Sequence, residues 1–432
     1  MSDAGRPAHP TVVYYCSGHG FGHVTRSFDI ADELLKTGCT LHLVCAAKNA
    51  FALAPQHPNV QMRTAVFDAG CIQKTAFDTD AAATLRAYRE IDENRMVILE
   101  RERAFLRDVG ADVVVTDVAS IPCESASAAG IPSVVVGNFT WDFIYQIQAI
   151  QLARERGAGN GSGGVMGAVC EEWGGMLTRI SQGYAHATVC LQLGLGVAPM
   201  PAFRRVQPLP YVCRPVKVSA TEIRRQLGVP DEDKIVLVTV GGQHMPETVA
   251  SGAFDPGEGW VCCVTGRMPE GAALPPRFKF LPPDIDLPSV VAASACVVGK
   301  NGFGTCAECL STGTPHVATP RNYFAEEPYL RASMAAAGAS VEMPLEAFEA
   351  GDWMPYIQRA TQLRPRPRKT SGGKMCAALI VEVAGGAWQP REEDVGVAAL
   401  HFHAWGLAVA AAARGEELPV PDWLRELEDR WP

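Results

Sequence analysis

The sequence predicts an α/β protein of two Rossmann-type, doubly wound domains that face each other across a cleft, with helices at the C-terminus. Three observations carry that expectation. The 432 residues exceed one ordinary hydrophobic core and suit two domains of about 200 residues each. Apolar runs such as TVVYYC, DVVVT and KIVLVTV alternate with stretches of helical periodicity. That is the pattern of parallel strands covered by helices on both faces. Finally, a strand running through a glycine-rich turn into a helix occurs once in each half of the chain.

In the first half, Thr11 to Cys16 is a short β-rich run ending in Ser17-Gly18-His19-Gly20-Phe21-Gly22-His23. Apolar residues then recur at Phe28, Ile30, Ala31, Leu34 and Leu35, which is helical spacing, and Gly38 stops the helix. Residues 40–45 form a second strand and complete a βαβ unit. Residues 60–66 alternate as a strand, and 81–107 read as one long amphipathic helix. Residues 112–116 form a buried strand, 122–129 a helix and 133–136 another buried strand. A glycine-rich loop over 157–164, a helix and a last strand over 186–191 close this half.

Five prolines between positions 199 and 215 mark the linker. The pattern then restarts, with strands over 234–240, 259–265, 278–281, 295–298 and 315–319. Helices follow at 305–312 and 326–337, and from 372 onward the chain reads as helical. Helices over 395–414 and 421–431 are expected to pack back across both domains. The resulting division is 1–205 for an N-terminal domain, 206–385 for a C-terminal domain and 386–432 for a helical extension.

Composition narrows the function. The formal net charge is −9, and no long basic run exists, which argues against nucleic acid as a partner. The 14 cysteines are scattered through predicted strands and helices, which suits reduced thiols better than a disulfide framework. Cys306 and Cys309 form a lone C-x-x-C at a helix start, and no second pair completes a zinc site. The first ten residues carry no apolar signal region, and the apolar stretch 404–413 is too short to span a bilayer. A cytoplasmic protein, not transmembrane, is expected.

The two glycine turns carry the chemistry. Gly18, Gly20 and Gly22 let the backbone turn sharply and approach a ligand. Their spacing is not G-x-G-x-x-G, and no acidic residue ends the second strand, so a dehydrogenase is disfavoured. His23 is the candidate proton acceptor at this sheet edge. His19 is a second catalytic candidate, although capping the helix would also account for it. In Gly299-Lys300-Asn301-Gly302-Phe303-Gly304-Thr305, the backbone at Gly302 and Gly304 and the Thr305 hydroxyl suit a diphosphate. Glu308, one turn on, could accept from ribose hydroxyls. Glu326 and Glu327 follow the next strand and could bind sugar hydroxyls, or simply favour a helix N-terminus. Gly241, Gly242 and Gln243 open the cleft edge of the second domain.

On the acceptor side, Asp117 and Asn138 end two parallel strands at the ligand edge. Trp141 either stacks on a sugar or packs in the core. His401 and His403 form an H-x-H on a predicted helix, where their side chains diverge, so no metal site is expected.

Four segments carry a family resemblance: YYCSGHGFGHVTRS, DVVVTDVASIPCESASAAGIPSVVVGNFTWDFIY, GKNGFGTCAECLSTGTPHVATPRNYFAEEPYLR and SGGKMCAALI. Over residues 11–385 the chain resembles the N-terminal glycosyltransferase-like region of plant and algal L-arabinokinase-type proteins. More distantly, the two glycine loops resemble those of the GT-B superfamily, which includes the peptidoglycan N-acetylglucosaminyltransferase and monogalactosyldiacylglycerol synthase. The resemblance implies an acceptor-binding N-terminal domain and a C-terminal domain for a nucleotide-sugar, commonly a UDP-sugar. It implies His23 as base and Gly302, Gly304, Thr305 and Glu308 as nucleotide contacts, with Glu326 and Glu327 near the sugar and no metal or other cofactor required. The family's kinase activity resides in a GHMP-type domain, and no loop of the P-x-x-x-G-L-[SG]-S-S kind occurs here, so that activity is not carried over.

The expected reaction is an inverting transfer from a nucleoside-diphosphate sugar, with a UDP-sugar as donor, to an unknown acceptor hydroxyl. The alternatives are a non-catalytic module binding a sugar-nucleotide or a protein partner, a sugar-nucleotide epimerase, and a structural subunit. A protein partner or an oligomer is compatible with each.

Overall fold

A computed structural model describes residues 9–18, 20–158, 164–241, 247–266, 274–282, 284–321, 324–389 and 392–419. The first domain is built on seven parallel strands: β1 (Thr11–Cys16), β2 (Thr40–Cys45), β3 (Val60–Thr64), β4 (Val113–Asp117), β5 (Ser133–Gly137), β6 (Val189–Leu193) and β7 (Val206–Leu209). Their spatial order is β3-β2-β1-β4-β5-β6-β7. The connecting helices are α1 (Phe21–Leu35), α2 (Ala81–Glu93), α3 (Arg95–Asp108), α4 (Ile121–Ala129), α5 (Trp141–Glu155) and α6 (Gly164–Tyr184). All five residues of β4 and of β5 are buried, as their unbroken valine runs require once helices cover both faces.

The second domain begins with α7 (Ala220–Leu227) and has six strands: β8 (Lys234–Thr239), β9 (Trp260–Val264), β10 (Phe278–Phe280), β11 (Cys296–Lys300), β12 (His316–Thr319) and β13 (Ser340–Glu342). They are parallel, in the order β10-β9-β8-β11-β12-β13. Its helices are α8 (Glu247–Ala250), α9 (Leu287–Ala293), α10 (Phe303–Thr312), α11 (Glu327–Ala336), α12 (Leu345–Ala350) and α13 (Met354–Ala360). Two further helices follow, α14 (Gly372–Ala384) and α15 (Glu392–Arg414).

Each sheet reverses its direction of travel at its centre, between β1 and β4 and between β8 and β11. Crevices for ligands open outside the strand ends at such switch points. Gly299 makes the second crevice tight: at φ 156° a Cβ there would lie 2.0 Å from the Thr239 carbonyl oxygen. Glycine alone lets β11 and β8 approach so closely at their cleft ends.

Several expectations shift. The boundary at 205/206 cuts off β7, which pairs with β6 through Cys190↔Val206 to Leu193↔Leu209; the first sheet therefore runs to Leu209. The helix from 372, expected in the second domain, packs on α1 and against β4, β5 and β7 of the first. A Cβ at Gly372 would lie 2.3 Å from the Tyr211 carbonyl oxygen, so this return crossing is pressed directly against the outward one. The Tyr211 hydroxyl donates to the Arg368 carbonyl at 2.5 Å and ties the two crossings together. The expected helix 81–107 is two helices, α2 and α3, broken at Asn94, whose side chain donates to the Glu90 carbonyl at 2.8 Å. α15 packs on α5 and β7 of the first domain, and its Ala408, Val409 and Ala412 belong to the core cluster that also holds Ala325 and Tyr329 of the second. The expected helix 421–431 lies outside the described residues.

Candidate active site

The first wall of the cleft follows from β1. After Cys16 the chain turns through Gly18 and Gly20, and Gly20 has φ 121°, a conformation only glycine adopts readily. α1 then starts at Phe21 and places His23 and Arg26 one turn apart on the same face. Both reach the end of β4. Asp117 is fully buried there, with its Oδ1 2.9 Å from His23 Nδ1. Arg26 grips the same carboxylate with two N–H groups, Nη2 to Oδ1 at 2.6 Å and Nε to Oδ2 at 2.9 Å. Ser27 Oγ donates to Oδ2 at 2.9 Å.

Burial alone would raise the Asp117 pKa, but the Arg26 guanidinium and His23 outweigh it and hold the carboxyl well below the usual carboxylate range. An ionised Asp117 favours the imidazole tautomer that carries its hydrogen on Nδ1, which leaves His23 Nε2 to accept a proton. Arg26 Nη2 stands 3.1 Å from the same Nδ1. The His23 ring is seated against the edge of Phe139, with centroids 5.6 Å apart.

The second wall mirrors the first. β11 ends at Lys300, Gly302 caps α10, and the first N–H groups of that helix, at Phe303 to Thr305, have no partners within it. α1 and α10 meet start to start: a Cβ on Gly304 would lie 3.9 Å from the Cα of Gly22. Burial pushes the Lys300 ammonium down to about 7, helped by Arg321 nearby and opposed by Glu326 and Glu327. Glu308 accepts from Arg214 Nη2 at 3.0 Å, and burial raises its pKa despite that partner.

The loop after β12 completes the site. Arg321 Nε donates to Glu327 Oε2 at 2.9 Å, and Asn301 Nδ2 donates to Glu327 Oε1 at 2.7 Å. Phe324 covers one face of the Arg321 guanidinium at 3.5 Å. Asn138 at the end of β5 bridges the domains, accepting from Arg26 Nη1 at 2.8 Å and donating to Glu326 Oε1 at 2.7 Å. A cavity of about 410 Å³ lies between the walls, lined among others by His23, Arg26, Lys300, Thr305, Arg321 and Glu326.

Of the residues singled out in the sequence, Gly20, Gly22, His23, Gly241, Gly302, Gly304, Thr305, Glu308 and Glu326 line this cavity. Asp117, Asn138 and Glu327 stand behind the lining and act on it through hydrogen bonds to His23, Glu326 and Arg321. Asp117, expected on the acceptor side, is buried there as the partner of His23 and Arg26. Trp141 is 2% exposed, stacks on Tyr145 at 5.3 Å and donates to Asp68 at 3.3 Å, so it packs in the core and is not among the residues lining the cavity. His19, Gly242 and Gln243 lie outside the described residues.

Sequence reasoning missed Arg26, Ser27, Arg214, Lys300 and Arg321. Arg26 had one signal, its place one helical turn after His23. Cys306 and Cys309 are fully buried within α10. His401 is buried and accepts the Met200 N–H at 3.0 Å, with burial pushing its pKa down to about 3, while His403 is exposed.

No protein-family model matches the chain. L-arabinokinase of Arabidopsis thaliana is 33% identical over 424 residues, 98% of this chain but only 39% of that protein, in its N-terminal part. Among solved structures, the glycosyltransferase of kitacinnamycin superposes with a TM-score of 0.57 at 14% identity, covering 92% of this chain and 99% of that one. A UDP-glucosyltransferase from Polygonum tinctorium does so with a TM-score of 0.56 at 14% identity, covering 99% of each chain. No helix among the described residues is long and apolar enough to cross a membrane. Two parallel sheets meeting at their switch points, with helix starts converging on the space between, are the GT-B fold of glycosyltransferases, carried by a chain that resembles the N-terminal part of L-arabinokinase.

Proposed function

We propose that the chain transfers a glycosyl group, with inversion, from a nucleoside-diphosphate sugar held by the second domain to an acceptor hydroxyl presented by the first. The observation that carries this reading is the convergence of the His23–Asp117 pair and the start of α10 on one cavity. In the proposed step His23 Nε2 takes the acceptor's proton. The acceptor oxygen bonds to the anomeric carbon as the bond from that carbon to the β-phosphate oxygen breaks. The electron pair leaves on the diphosphate, where Lys300 and the N–H groups of Phe303 to Thr305 meet the charge. That cluster supplies positive potential of the kind a divalent ion would otherwise bring, and it supports a metal-independent reaction. A uridine diphosphate sugar is the donor proposed, on the strength of the fold shared with the UDP-glucosyltransferase.

One observation favours a second reading, a nucleotide-sugar-binding module without turnover. Arg26 takes both oxygens of Asp117 and lies 3.1 Å from His23 Nδ1, so part of the carboxylate's charge is spent before a proton reaches the imidazole. Calorimetric titration with UDP, GDP, ADP and dTDP, followed by turnover of the matching sugar-nucleotides against an acceptor panel, separates the readings. Binding with turnover supports the transferase and binding without it supports the module. A folded protein that binds none of them overturns both.

A further inference from the structure

Arg321 is a tightly enclosed cation in the lining of the cleft. Its side chain is 3% exposed. Phe324 blocks one face of the guanidinium, and Glu327 holds its Nε edge. Nη2 is buried with no hydrogen-bond partner among the described residues, and Glu326 Oε2 stays 3.8 Å from it. Among the described residues, Nε alone of the three nitrogens makes a hydrogen bond.

A buried guanidinium N–H left unpaired costs more than a neutral one. The Nη1–Nη2 end is also the edge whose geometry matches the two oxygens of a carboxylate. Glu326 is kept from closing on it by Asn138, which holds Oε1 from the opposite domain. Lys300 is close enough for the Arg321 charge to oppose its protonated form. Arg214, the remaining cation from the linker, is occupied by Glu308. Arg321 thus keeps a donor edge unfilled in the lining of the cavity, next to Lys300, where the diphosphate is proposed to sit.

We infer that Arg321 forms a subsite for a carboxylate carried on the transferred sugar, so that the preferred donor is a nucleoside-diphosphate uronate rather than a neutral hexose or pentose. The inference rests on the donor reading given above. A sugar hydroxyl would satisfy Nη2 only as a neutral acceptor, whereas a carboxylate supplies charge and two oxygens at the spacing the guanidinium presents.

The test is a calorimetric comparison on the whole chain. The four nucleoside diphosphates are titrated first, and then the glucuronate and glucose conjugates of the preferred base, UDP-glucuronate and UDP-glucose if that base is uracil. The uronate is expected to bind at least tenfold more tightly than the neutral sugar. In Arg321→Lys, which keeps the charge beside Glu327 but loses the fork, the ratio is expected to fall to about twofold or less, and likewise in Arg321→Gln if that variant folds. The ratio, not the absolute affinity, is read. Equal affinities in the unmodified protein, or tighter binding of glucose, overturn the uronate inference and leave the donor reading standing. Failure of every nucleoside diphosphate to bind overturns the donor reading and this inference with it.

Discussion

Asn138 and Glu326 are 188 positions apart in the chain and meet across the cleft, the amide of one donating to the carboxylate of the other at 2.7 Å. The same amide oxygen accepts from Arg26, so one side chain links the His23 side of the site to the loop after β12. Substituting Asn138→Ala removes a partner from both a buried guanidinium and a buried carboxylate. It is expected to destabilise the protein by about 1–3 kcal/mol and to increase the radius of gyration in solution scattering. An unchanged melting curve together with unchanged scattering would remove Asn138 as an interdomain tie.

His23→Ala is expected to lower turnover about 10²- to 10⁴-fold, the usual worth of a positioned base. Its effect on nucleotide affinity should be small, because the diphosphate is proposed to rest on the opposite wall. Equal turnover in variant and parent would take His23 out of the mechanism.

Asp117→Asn leaves the Arg26 cation buried and short of its counter-charge. Breaking a buried pair in this way costs about 3–5 kcal/mol, which urea unfolding would measure. The pH dependence follows from the direction of the shift. The folded pKa of Asp117 lies below the unfolded one, so its stabilisation is complete above the unfolded value of about 4 and disappears as pH falls through the folded value. The variant should lack that part of the acid limb. Coincident acid limbs would contradict the assignment.

Lys300 predicts a different profile. Burial pushes its pKa down to about 7, whereas the unfolded chain keeps it near 10.4. Between those values the unfolded state binds the extra proton, so this group's contribution to stability rises with pH over that window. Affinity for a nucleoside diphosphate moves the other way and should weaken several-fold between pH 7 and 9 as the ammonium is lost. Lys300→Gln should flatten that dependence. Titrations at three pH values on each protein decide it, and parallel profiles would place the diphosphate elsewhere.

Some of this was open to the sequence. Runs such as DVVVT announce parallel strands because both faces are buried, and the two glycine turns announce helix starts at ligand edges. His23 stood out because an imidazole at such an edge has few structural reasons to be there. Asp117 was placed correctly at its strand end, but its partnership with a residue 94 positions away has no local signature. Arg26 and Arg321 were invisible for a related reason: a charged residue near a helix start reads as solvated, and only the assembled sheets show it desolvated. The boundary at 205/206 failed because proline marks irregular chain without saying which sheet the adjoining strand joins. Val206–Leu209 joined the earlier one.

The doubled crossing between the domains has a mechanical consequence. A body hung on one thread can swing, twist and slide, but one held at two adjacent points keeps little more than rotation about the line joining them. With Tyr211 and Arg368 fastened side by side, the two crossings form one seam, and neither strand of it can shift without the other. Such a seam keeps the starts of α1 and α10 in register with each other.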